Sequence, residues 1–258
     1  MFQWVSRGVR TGIKTTAYPA KPETAAGVSP GLPIGETYKE DESESLIARC
    51  PTQALSQGDG QTAVDYRRCV HCYRCERQVA RPIDWSNGYE WASANGNHVL
   101  GKPFTRSIHV LVVDAGDCGA CLHEVKQLNN PYYNMHRLGF FVTPTPRHAD
   151  ILLVVGPVTD HLRIALEKTY QAMPKPKRVI AVGACALSGG VFGPSFVSEG
   201  GVAKVIPVDV EIPGQPPPPL AILHGLLVAA GRRAAASLVS PASITPSPVA
   251  PLPEGGAP

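Results

Sequence analysis

Residues 108–124 read IHVLVVDAGDCGACLHE: an apolar, β-branched run, Ile108–Val113, followed at once by Asp114-Ala115-Gly116-Asp117 and a Cys118-x-x-Cys121 pair. A run of this length, apolar at consecutive positions, is how a strand buried on both faces of a parallel sheet reads. Two more such runs follow, Ile151–Val155 and Val179–Val182. Between them His161–Met173 has helical spacing (Leu162, Ala165, Leu166, Tyr170), and Pro174 and Pro176 stop it. Val202–Val208 is expected to form a further strand and Pro219–Arg232 a last helix. Strand alternating with helix predicts an α/β fold, a parallel sheet with helices packed on it.

Upstream, the composition differs. Residues 1–15 have an amphipathic helical pattern, with Phe2, Val5, Val9 and Ile13 on one stripe and Arg7, Arg10 and Lys14 largely elsewhere. Tyr18–Tyr38, rich in Pro, Gly and Ala, reads as an extended strap. A cysteine-rich segment follows, and the chain closes on an Ala-, Ser- and Pro-rich tail that cannot build a core. The expected organisation is therefore helix and strap (1–45), cysteine-rich segment (46–100), α/β domain (107–232) and tail (233–258), with residues 1–40 docking on partner chains. The formal net charge of +3 over 258 residues, without a long basic run, gives no case for nucleic acid. No apolar run approaches the length that crosses a bilayer, and no leader pattern is evident, so the expected protein is cytosolic or peripheral.

The seven cysteines carry the chemistry: Cys50, Cys69, Cys72, Cys75, Cys118, Cys121 and Cys185. An odd count in C-x-x-C spacings, without a secretion signal, argues for metal over a disulfide framework. Cys69-Val-His-Cys72-Tyr-Arg-Cys75 puts three thiolates on one tight loop, with Cys50-Pro51 upstream as a fourth. That is the ligand pattern of a bacterial-type [4Fe–4S] site, a zinc knuckle being the alternative use of four cysteines. The segment resembles the two-cluster ferredoxin subunits of complex I and of membrane-bound hydrogenases. It departs from them at Val79 and at Asp41–Ile47, which stand where the second cluster's cysteines would be; both departures remove the same cluster. The opening residues Met1–Pro19 are similar to the start of the ferredoxin subunit of formate hydrogenlyase-type complexes.

Cys118 and Cys121 follow the first strand of the α/β segment, and Gly183-Ala184-Cys185 follows a later one. Loops at the carboxyl ends of parallel strands converge on one crevice, so these three cysteines are expected to meet there. The ordered set Cys118-x-x-Cys121-x-x-Glu124, Pro146–Leu152, Gly156–Thr159, Met173-Pro174, Gly183–Gly190 and Pro207–Val210 resembles the small electron-transfer subunit of group 4 [NiFe] hydrogenases and the 20-kDa-type subunit of complex I. The resemblance implies a flavodoxin-like domain, a cluster beside a large partner subunit of the hydrogenase or complex I 49-kDa type, membrane subunits as further partners, and a peripheral position for this chain on the cytoplasmic face of the inner membrane. The family's last ligand lies in a Pro-Gly-Cys-Pro-Pro motif, where this chain has Pro213-Gly214-Gln215-Pro216-Pro217. A neutral, hard amide oxygen is a poor iron ligand. The expected second cofactor is thus a [3Fe–4S] cluster on Cys118, Cys121 and Cys185, or a [4Fe–4S] cluster completed by water, Gln215, Asp117 or Glu124.

His123, His148 and His224 read as surface or core residues in the first instance. Glu124 reads equally as a proton relay or as a cap for backbone donors. The Gly189-Gly190 and Gly200-Gly201 pairs form no dinucleotide fingerprint, so NAD is not expected, and no nucleophile–base set is present. The expected protein is an electron-transfer subunit, its catalytic centre on another chain; a scaffold with an empty second site and a soluble carrier are the other readings.

Overall fold

The computed structural model describes residues 2–35, 38–58, 61–77, 81–96, 98–101, 104 and 106–237. Val79 and the tail beyond residue 237 lie outside them. In chain order the elements are α1 (Gln3–Thr11), β1 (Leu32–Pro33), α2 (Glu40–Arg49), β2 (Leu55–Gly58), β3 (Gln61–Val64), β4 (Trp85–Ser86), β5 (Ser93–Ala94), β6 (Ile108–Asp114), α3 (Ala120–Gln127), β7 (Phe140–Val142), β8 (Ile151–Val155), α4 (Asp160–Ala172), β9 (Arg178–Val182), α5 (Ala184–Ser188), β10 (Val210–Ile212) and α6 (Pro219–Ala229).

Five parallel strands lie in the order β7-β6-β8-β9-β10. Numbered along the chain, that is the 2-1-3-4-5 order of the flavodoxin-like fold. The short β5 adds antiparallel to β10 at the edge. β8 is buried at every position, as its unbroken apolar run requires. Its alternate side chains enter two cores: Ile151, Leu153 and Val155 join α3 and α6, while Leu152 and Val154 join Leu166 of α4 and Ala186 of α5. α6 is buried throughout, which explains why it is apolar all round rather than on one stripe.

The strand expected at Val202–Val208 is corrected. Val202–Lys204 makes one 3₁₀ turn, and the last parallel strand is Val210–Ile212. Pro207 has no N–H to give a ladder. Asp209 sets the register instead, its carboxylate accepting the Val179 N–H at 2.8 Å.

The expectation that residues 1–40 dock on partners is also corrected in its larger part. Tyr18, Leu32 and Tyr38 lie in the same core as α6, together with Tyr66 and Trp91. The Thr16 N–H bonds the Tyr132 carbonyl at 2.9 Å, and the Thr15 hydroxyl bonds the Pro131 carbonyl at 2.8 Å. α1 itself buries no residue: Trp4 on it is 77% exposed and Ile13, just beyond its end, 91%.

His224 of α6 is a core residue that ties three segments together. Its Nδ1 accepts the Ala92 N–H at 3.1 Å, so Nε2 is the donor to the Ala234 carbonyl at 3.1 Å. Burial drags its pKa down from 6.5 to about 4. The unfolded chain therefore binds a proton that the folded chain refuses. The stability contribution is complete above the unfolded value near pH 6.5 and is lost as pH falls towards 4. Its full size is on the order of 3 kcal/mol. Thermal melts between pH 7.5 and 4.5 should fall more steeply for the wild type than for His224→Asn; parallel curves would refute this.

Candidate iron–sulfur sites

The first site lies where α2 ends and the chain returns beyond the β2–β3 hairpin. Cys50 is the C-cap of α2, and its sulfur accepts the Ala54 N–H at 3.2 Å. Cys69, Cys72 and Cys75 ring the same cavity as Cys50, walled by Pro33, Leu55, Val64 and Trp85. Between the cysteines, His71 and Tyr73 both take left-handed backbone angles (φ 50° and 57°). Alternating left- and right-handed residues curl a loop so that its N–H groups face inward, a concavity suited to an anion. Trp85 closes one wall, stacked on Tyr73 at 4.5 Å between ring centroids and edge-on to His71 at 5.7 Å. The Nε2 of His71 is buried without a partner.

The thiols feel one another. Burial first, then the neighbouring Cys75, Cys50 and Cys72, hold the Cys69 thiol up at about 12, despite the hydrogen bond it accepts from the His71 backbone. Burial likewise pushes Cys75 to about 11. Such thiols stay protonated until a cation displaces the proton. Among the described residues no three Cys, His, Asp or Glu side chains are placed to hold a single metal ion. Cys50, Cys69, Cys72 and Cys75 around one cavity are the donor set that an iron–sulfur cluster takes.

The second site lies at the carboxyl ends of β6, β9 and β10. Cys121 is fully buried on α3 and Cys185 is 7% exposed on α5, while Cys118 is exposed on the loop between β6 and α3. Cys118 and Cys185 are both electrostatic neighbours of Cys121. A Cβ on Gly183 would stand 2.5 Å from the Cys121 sulfur, and one on Gly190 would stand 2.7 Å from the Cys185 sulfur. Both glycines also have positive φ, so the cradle requires them on two counts. Gln215 stands between the thiols: its amide N–H₂ donates to the Cys185 sulfur at 3.4 Å, and its Oε1 lies 4.0 Å from the Cys121 sulfur. Burial raises the Cys121 thiol, and Asp117, Cys185, Cys118 and Glu124 raise it further in that order. Cys185 is raised by burial and then by Cys118 and Asp117, with the Gln215 hydrogen bond opposing.

Asp117 supplies the backbone cap that Glu124 was a candidate for: its Oδ2 accepts the N–H groups of Gly119 and Leu122, each at 3.0 Å. Glu124 is half-buried beside Cys121, and burial raises its carboxyl. His123 is exposed against Gln127. His148 is exposed in the turn before β8, at the opposite end of the sheet from the cysteines.

Sequence reasoning missed the contacts that lock the two sites together. The Ser188 hydroxyl, three residues after Cys185, donates to the Arg67 carbonyl, two before Cys69, at 2.9 Å. The Arg67 Nε bonds Glu211 of β10 at 2.7 Å, and the Asn95 amide bonds the same carboxylate at 3.3 Å. Trp91 donates to the carbonyl of Pro213, beside Gln215, at 2.9 Å. No spacing rule signals an ion pair 144 positions apart; a buried-strand Glu211 was the one available hint.

A sequence-family model described as NADH ubiquinone oxidoreductase, 20 Kd subunit, matches residues 118–229. An uncharacterised protein of Methanocaldococcus jannaschii is 50% identical over 122 residues, covering 47% of this chain and 82% of that protein. A probable membrane-bound hydrogenase subunit of Pyrococcus furiosus is 44% identical over 130 residues, covering 50% of this chain and 78% of that one. Formate hydrogenlyase subunit 7 of Escherichia coli is 44% identical over 130 residues, covering 50% of this chain and 51% of its own length. The matched stretch begins at Cys118 and runs through Cys185 and Gln215 to the end of α6. With that model matched over residues 118–229 and 44% identity to a hydrogenase subunit of which it covers 78%, the chain belongs to the family of the NADH ubiquinone oxidoreductase 20-kDa subunit.

Proposed function

We propose that this chain is an iron–sulfur electron-transfer subunit of a membrane-associated oxidoreductase complex of the complex I and energy-converting hydrogenase kind. The observation that carries it is the convergence of two separate sets of thiols on one continuous core: Cys50, Cys69, Cys72 and Cys75 in one, Cys118, Cys121 and Cys185 in the other. An iron–sulfur cluster supplies one-electron storage at a fixed position, [4Fe–4S] at the first site. The chain's own residues hold the two sites at constant separation through the Ser188–Arg67–Glu211 contacts. A fixed separation is what electron tunnelling between sites needs. The resemblances to a hydrogenase subunit and a formate hydrogenlyase subunit support a large partner subunit that carries the catalytic centre. No helix among the described residues is long and apolar enough to cross a membrane; a peripheral position on the cytoplasmic face fits this reading.

α1 is the segment offered to the rest of the complex. It buries no residue, Phe2, Trp4 and Val9 are largely exposed, and residues 1–22 contain Arg7, Arg10, Lys14 and Lys21 without one acidic residue. Deleting residues 1–14 ends just short of the anchored Thr15 and Thr16. It should leave iron and sulfide content within about a tenth of wild type, because no ligand position is touched. It should nevertheless reduce recovery of the chain in the native membrane-bound complex at least severalfold. Normal assembly of the truncated chain would refute the assignment of α1. Recovery of the full-length native protein alone, with no partner subunit, would refute the complex itself.

A second reading is a scaffold whose C-terminal site holds no cluster. It draws on one observation, that Gln215 already satisfies the Cys185 thiol. Iron and sulfide analysis separates the two: about four irons per chain for the scaffold, more for the electron-transfer subunit.

A further inference from the structure

Three arginines surround the one cysteine of the first site that is exposed. Arg49, Arg74 and Arg77 line an open recess of about 540 Å³ together with Ala48 and Cys72. Cys72 is exposed there, whereas Cys50, Cys69 and Cys75 are half-buried. The recess thus leads from bulk water to a ligand position of that site.

The guanidinium groups are held in place without being neutralised. Arg49 donates to the Arg77 carbonyl at 3.5 Å, and its Nε is buried with no hydrogen-bond partner. Arg77 lies over the Tyr73 ring at 5.7 Å, and Tyr73 is itself stacked on Trp85. Among the described residues none of the three arginines has a carboxylate within ion-pair distance. Two arginines nearby in sequence differ: Arg67 pairs with Glu211 at 2.7 Å and Arg68 with Asp65 at 3.7 Å. Glu76, exposed between Arg74 and Arg77, is the only acidic residue from Cys69 to Arg77, and Glu44 lies a turn and more back along α2 from Arg49. Three arginines against that one glutamate leave the recess positive. Offsetting the charge of a bound cluster does not require them all, because Arg74 and Arg77 are exposed and water and salt screen exposed charges.

We propose that the Arg49–Arg74–Arg77 recess is the docking surface of an acidic one-electron carrier protein, which exchanges its electron with the first site beside Cys72. The inference rests on the electron-transfer reading above and deepens it by naming the chemistry of a partner. A positive rim steers a carboxylate-rich surface to the recess and fixes its orientation. Arginine suits the task, since its forked donors match carboxylates and its weak hydration makes it cheap to desolvate. Contact at Cys72 also gives the shortest way in, because the other three cysteines lie deeper. In the reducing direction one electron leaves the carrier, which is oxidised by one unit. It enters the cluster held by Cys50, Cys69, Cys72 and Cys75, which is reduced by one unit, and no bond or proton changes place.

The test uses the full chain with its clusters and two probes, an acidic plant-type [2Fe–2S] ferredoxin and a basic c-type cytochrome. Binding is measured by calorimetry with every centre oxidised, so that no electron moves. The ferredoxin should bind, and its Kd should rise at least about tenfold between about 20 mM and about 200 mM salt. Arg74→Glu should weaken binding at low salt by about tenfold or more, and Arg74→Glu with Arg77→Glu further still. Arg147→Glu makes the same change in net charge at an exposed position at the far end of the sheet, and should change Kd less than about twofold. Electron transfer from the reduced ferredoxin, followed by the EPR of the first site, should slow in step with the loss of binding. An equal effect of Arg147→Glu overturns the proposal, as does absence of binding at low salt or equally tight binding of the basic cytochrome. Failure of the underlying reading looks different: Cys72→Ser then loses no iron, and the reduced ferredoxin finds no acceptor in the chain.

Discussion

Cys50→Ser should lose the same low-potential [4Fe–4S] signal as Cys72→Ser, and with it about four irons per chain, while the second site keeps its own. In the sequence Cys50 is remote from the Cys69–Cys75 loop, across a whole hairpin. In the structure it lines the same cavity, and its charge acts on both Cys69 and Cys75. On the proposed ligand set, three thiolates from the loop would cap three irons and the fourth would come from the end of α2. Serine keeps the size but offers an alkoxide that must be generated from a far weaker acid than a thiol, so the site is starved of one anionic ligand. The effect extends to folding. The walls of the cavity are Leu55, Val64 and Trp85, and a group bound only by the native state adds its binding free energy to stability. The variant should therefore also melt earlier, with the β2–β3 hairpin and the Tyr73–Trp85 stack loosened first. A Cys50→Ser protein with an undisturbed cluster signal would remove Cys50 from the ligand set.

What could be read beforehand follows a physical division. The strands at Ile108, Ile151 and Val179 were legible because burial on both faces leaves no choice of residue, and so was the crevice, since their carboxyl ends fix where Cys118, Cys121 and Cys185 must go. Val202–Val208 misled because its valines serve a 3₁₀ turn and the α4 face of the core, not a ladder. β5 is two residues long and exists only by pairing with β10, so it has no local signal. The strap misled for the opposite reason: Pro and Gly spacing hides that Tyr18, Leu32 and Tyr38 are buried. His71 and Tyr73 took left-handed angles that neither side chain advertises.

Gln215→Cys should lower the reduction potential of the second site by on the order of 100 mV, without changing the first. Two changes act in the same direction. The Gln215 amide now donates to the Cys185 sulfur, and a donor to sulfur stabilises the more negative, reduced state. Its removal withdraws that help. The new thiolate, placed between Cys121 and Cys185, adds an anionic ligand where the family's motif has one, and more negative charge at the site makes an added electron costlier. The comparison of Rieske centres with all-cysteine clusters sets the scale, where exchanging two thiolates for neutral ligands shifts the potential by hundreds of millivolts. Redox titration followed by EPR measures the shift directly, with the signal from Cys50, Cys69, Cys72 and Cys75 as the internal control. An unchanged potential would mean that position 215 does not act on the cluster. A downward shift gives Gln215 a function in the wild type: it holds this site at a higher potential than four thiolates would, suiting an electron acceptor more oxidising than protons.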